Sequence, residues 1–125
     1  MEGIFPVVLI ALGVVVFFVH RANKDKKVLQ TVAGALITEV KLREAEGHQR
    51  EADELRKQWH ALLRAQATVA ARPRIAIEES ERQALLSLTD PRHLEHLMAR
   101  YGSQHEAYDS LMRLAGKVEK TRAAR

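Results

Sequence analysis

Cysteine is missing from the 125 residues altogether, which excludes a disulfide framework, a thiolate metal site and a thiol nucleophile, and fits a cytoplasmic setting. Aromatics make up only 5%, so any core has to be built from Leu, Val, Ile and Ala, a composition suited to helix on helix. Proline occurs 3 times, each time where a helix can begin or end, and none falls between Lys24 and Ala71. H-E-x-x-H, G-x-S-x-G and Gly-rich phosphate-loop patterns do not occur, and the four serines have no base near them in sequence. General acid/base chemistry would need a pocket that a few thin helices rarely enclose. No enzyme is expected, and no cofactor.

The most informative absence is local. Ile4 to Val19, IFPVVLIALGVVVFFV, holds no charge, and on a helix every face of it is apolar, whereas a helix in a domain core normally keeps a polar stripe. Sixteen residues give about 24 Å at about 1.5 Å each, against about 30 Å of bilayer hydrocarbon. Met1 to Gly3 extend the span at one interface, and Phe17, Phe18 and His20 occupy the other. Pro6 sits in the first turn, where a missing N–H costs little. A cleaved signal peptide is disfavoured, because Met-Glu-Gly carries no cation and Val19-His20-Arg21-Ala22 matches A-x-A poorly. The expectation is one transmembrane helix.

Immediately after the span come Arg21, Lys24, Lys26 and Lys27, interrupted only by Asp25. Cations are retained on the cytoplasmic side of short flanks, so the N-terminus is expected outside a plasma or inner membrane and the rest of the chain inside. The same four cations suit anionic headgroups at the membrane surface. The overall balance of 20 Lys and Arg against 16 Asp and Glu, pI near 9.7, does not point to nucleic acid. The charges are mixed, and the one other basic stretch, Lys117 to Arg125, lacks interleaved aromatics.

Residues 1–23 therefore read as a transmembrane anchor with a basic inner flank. Residues 24–72 read as a long helical stalk. Leu29, Val32, Leu36 and Val40 form an apolar stripe along it; from Lys41 to Glu54 the stripe nearly vanishes into alternating charges, with Gly47 the expected break. The stripe returns at Leu55, Trp59, Leu62 and Val69, too short a heptad run for more than a local coiled-coil contact. Residues 73–77 read as a linker, since Pro73 pushes Arg72 out of helical geometry.

Residues 78–125 read as a small module of short helices with a frayed basic tail from Thr121. Glu78, Glu79 and Glu81 favour a helix start. Asp90-Pro91 supplies an N-cap and a first-turn proline, Gly102 a left-handed C-terminal residue, and Ser103-Gln104-His105-Glu106 a capping box. About 45 residues make a marginal core alone, so burial against the Leu55 to Val69 face or against another chain is expected.

The fold class is all-α: one N-terminal transmembrane helix, a long juxtamembrane helix, and a small bundle. The function expected is a non-enzymatic single-pass anchor or accessory subunit that docks on a protein partner or on its own copies. Trp59, Leu62, Leu97, Met98, Leu111 and Met112 are the candidate contacts. The alternative is an envelope-spanning or lysis-type tether of opposite orientation, with the helical part outside the cytoplasm, whose layout resembles that of phage inner-membrane spanins. His93 and His96 stand three apart on one helix, with His105 beyond. Two such rings need further ligands to hold a metal, and the plain expectation is exposed or capping histidines.

Overall fold

The computed structural model of this chain describes the backbone of residues 4–70 and 76–123 and the side chains of residues 23–70 and 76–122. Among them it forms helices and no strand: α1 Ile4–Ala45, α2 Gln49–Ala70, α3 Glu79–Leu88, α4 Pro91–Met98 and α5 Gln104–Ala123. The expected membrane span, Ile4 to Val19, lies outside the residues whose side chains are described. Among the described residues, no helix is long and apolar enough to cross a membrane. The backbone of that segment belongs to α1, which runs without a break into the stretch starting at Lys24.

The stalk residues are not an extended rod. Gly47 has φ 81°, a left-handed conformation that costs glycine little, and it reverses the chain. His48 N–H donates to Arg43 O at 2.8 Å and Gly47 N–H to Glu44 O at 3.1 Å. These are the paired 6→1 and 5→2 bonds of a Schellman motif, which satisfy carbonyls a helix end would leave bare. The charge-rich stretch around this turn becomes the exposed tip of a helical hairpin. Arg43 pairs with Glu39 at 3.9 Å, Glu46 at 3.7 Å and Glu51 at 3.5 Å, while Arg56 pairs with Glu44 and with Asp53. A segment polar on all faces is stable here because it needs to bury almost nothing.

Local punctuation shapes the second half. Glu78 N–H donates to Glu81 Oε1 at 3.1 Å, which makes Glu78 the N-cap of α3. Asp90 caps α4 by accepting from Arg92 N–H at 3.3 Å, with Pro91 next to it at the first helical position. Ser103 Oγ accepts from Glu106 N–H at 3.3 Å at the head of α5. Gly102 has positive φ, but at 155° it is not the left-handed helical cap expected; α4 instead closes through Tyr101 and Gly102 N–H groups on Met98 O. Helix α5 includes Thr121 and Arg122, with Arg122 3.4 Å from Glu79 and 3.8 Å from Glu119; residues 124 and 125 of the expected frayed tail lie outside the described ones.

One apolar cluster takes in Leu29, Val32 and Leu36 of α1, Ala61, Leu62 and Ala65 of α2, Leu85 and Leu88 of α3, Leu94, Leu97 and Met98 of α4, and Leu111, Leu114 and Val118 of α5. Stalk and module thus share a core. Of the expected linker, residues 73–75 lie outside the described ones, and Ile77 joins the cluster. Helix α2 packs against α1, α3 and α5, so its most buried positions are the small residues Ala52, Ala61, Ala65 and Thr68 around Leu62. Of the expected seam, Leu62 is fully buried, while Leu55, Trp59 and Val69 are half-buried and packed against the cluster. Small side chains let three neighbours approach, and a Leu-and-Trp seam serves only one.

Candidate functional site

The six side chains read as partner contacts separate into two groups. Leu62, Leu97, Met98 and Leu111 are buried within the chain's own core, at 5% exposure or less, so their apolar area is already covered by α1 to α5. Trp59 is half-buried, its ring 5.0 Å from that of His60, and Met112 is 45% exposed. Leu42, Leu63 and Leu86 are also open to solvent. Single exposed apolar residues are ordinary on a protein surface.

His93, His96 and His105 do not converge. His93 Nε2 lies 2.7 Å from Gln58 Oε1 on α2, and in the Nε2–H tautomer donates to that amide oxygen; burial pushes its pKa below 6.5. His96 is exposed beside Glu39, Arg43 and Arg100, and His105 is exposed beside Asp109. Among the described residues no group of His, Cys, Asp and Glu could hold a metal ion.

The best-built polar site lies where α5 crosses the start of the described part of α1. Asp25, the lone acid in the juxtamembrane basic run, is 14% exposed at its side chain. Its carboxylate accepts from Ser110 Oγ at 3.0 Å, from Arg113 Nε at 2.8 Å and from Arg113 Nη2 at 2.5 Å. The planar guanidinium fork matches both carboxylate oxygens. These bonds hold the Asp25 carboxyl below its ordinary 3.8, the hydrogen bonds from Arg113 outweighing the opposing effect of burial. Ser110 is itself 2% exposed, and its hydroxyl donates to Asp25. Asp25, Lys26, Leu29, Gln66, Val69, Arg113 and Lys117 line a cavity of about 290 Å³ between α1, α2 and α5.

Nothing in the spacing could reveal this arrangement, because Asp25 and Arg113 stand 88 positions apart. The one local signal is an acid set among four cations, Arg21, Lys24, Lys26 and Lys27. The Lys24 ammonium, next to Asp25, reaches Glu106 at 3.7 Å, and Tyr101 Oη donates to Glu39 at 3.1 Å. Three polar contacts therefore fasten α1 to the turn before α5 and to α5 itself. A scan against family models and searches among curated proteins and solved structures match nothing to this chain.

Proposed function

We propose that the chain is a non-enzymatic single-pass membrane anchor that presents a compact helical domain at the cytoplasmic face, as an accessory subunit to a protein partner or to further copies of itself. The observation that carries the reading is the make-up of α1. One helix begins with sixteen uncharged residues, continues through Arg21, Lys24, Lys26 and Lys27, and ends as part of the bundle core. An all-apolar helix segment is suited to lipid, and the cations beyond it favour retention on the inner side.

In this reading the anchor and the domain are coupled rigidly, because the Asp25–Arg113 pair and the Leu29–Val32–Leu36 stripe hold α1 directly to the other helices. Half-buried Trp59 and exposed Met112 are the members of the original contact set still open to a partner. With Leu62, Leu97, Met98 and Leu111 buried internally, the partner-docking part rests on a smaller apolar surface than the sequence suggests.

Protease added to intact cells and to opened vesicles tests the orientation. The reading expects the bundle to be cut only once vesicles are opened. Cutting in intact cells would favour the envelope-spanning tether. Mild-detergent purification of the intact chain, followed by identification of proteins that come with it, tests the accessory role.

A further inference from the structure

We propose that Lys117 and Lys120 of α5 join Lys26 and Lys27 of α1 in one contact surface for anionic lipid headgroups, so that the bundle lies against the membrane through two segments about ninety residues apart. The inference rests on reading Ile4 to Val19 as a membrane span, and goes beyond it by assigning a partner to the C-terminal basic stretch. Lys117 and Lys26 line the same cavity as Asp25. From Val19 to Asp25 the helix rises about 9 Å at about 1.5 Å per residue. A headgroup layer occupies about 5–7 Å outside the hydrocarbon, and the Debye length at physiological salt is about 8 Å. Lys117 is therefore within reach of the phosphate layer's field, as are the cations next to the span, and Lys120 follows Lys117 on α5 at about 4.5 Å along the helix axis.

The local acids do not cancel this surface. Asp25 is held by Arg113, Glu106 by Lys24, and Glu119 by Arg82 and Arg122. Lys26, Lys27, Lys117 and Lys120 are exposed, and among the described residues they form no ion pair within 4.0 Å. Between Lys117 and Lys120 stand Val118, which is buried, and Glu119; no aromatic is available for base stacking, which favours lipid over single-stranded nucleic acid.

The test uses the full-length chain in nanodiscs of phosphatidylcholine alone and of phosphatidylcholine with one-third phosphatidylglycerol, with lysine acylation rates read by mass spectrometry. An anionic surface near about −30 mV lowers local pH enough to slow an exposed amine about threefold. That slowing is expected at Lys26, Lys27, Lys117 and Lys120 in the anionic discs, and is expected to vanish near 1 M salt, where the Debye length is about 3 Å. Lys41, about 33 Å from the end of the span at about 1.5 Å per residue, is expected to react equally in both discs. Slowing at Lys26 and Lys27 without Lys117 and Lys120 would overturn the inference while leaving the anchor intact. So would protection of Lys117 and Lys120 by added RNA but not by anionic lipid. A chain that enters neither disc would overturn this inference together with the membrane reading.

Discussion

Asp25, partly buried, and Thr68, fully buried, are two polar side chains with opposite energetic roles. Asp25 is fully partnered, and removing its charge in Asp25→Ala leaves Arg113 and Ser110 without an acceptor; hydrogen bonds to charged groups are worth about 1.5–3 kcal/mol, and that loss is expected in chemical denaturation of the full chain. Because the folded-state pKa of Asp25 is lowered, its contribution is complete above 3.8 and is lost as pH falls through the folded value. Thr68 is 1% exposed and its hydroxyl has no partner among the described residues. Thr68→Val keeps the shape and removes an unpaired buried hydroxyl, so it is expected to stabilise by about 1 kcal/mol. Neither role was legible in the sequence: Thr68 sat among alanines on a helix whose seam was assigned to Leu and Trp, and the partners of Asp25 come from the far end of the chain.

Helices were far easier to read than their packing. Asp90-Pro91 and the Ser103 cap were legible because each is a local device, in which a side chain or ring satisfies a backbone within a few residues. Gly47 was legible as a break but not as a reversal, since a Schellman cap can end a helix in any tertiary setting. Gly47→Ala meets no atom within 4 Å of the added Cβ, so its cost is backbone strain alone. An L-residue in the left-handed region costs about 1–2 kcal/mol, which equilibrium unfolding of the variant checks. Helix α4 is tied to α2 through His93 and Gln58. Burial lowers the His93 pKa below 6.5, so its neutral form contributes stability that is complete above 6.5 and declines as pH falls from there towards the folded value. In His93→Gln that part of the pH dependence is expected to disappear from urea midpoints measured between pH 7 and pH 5.

The whole molecule joins an apolar leading segment to a bundle in which the same helix serves both. The all-helical class was legible from composition and periodicity, as were most helix positions after residue 78. Residues 24–72 and 78–125, read separately along the chain, contribute to one shared core. Charge-rich residues 41–54 look like a spacer when read along the chain, yet they form the outer tip of a hairpin whose inner faces meet α3, α4 and α5. Burial of Leu62, Leu97, Met98 and Leu111 in that shared core explains why apolar stripes that seemed surplus to a 45-residue module are not surplus to the full set of helices. Membrane attachment is the claim on which orientation, lipid contact and presentation of the bundle all depend. Alkaline carbonate washing of membranes from cells producing the full-length chain tests it most directly: retention in the sedimented membranes is the predicted result, and release of the chain into the supernatant would contradict it.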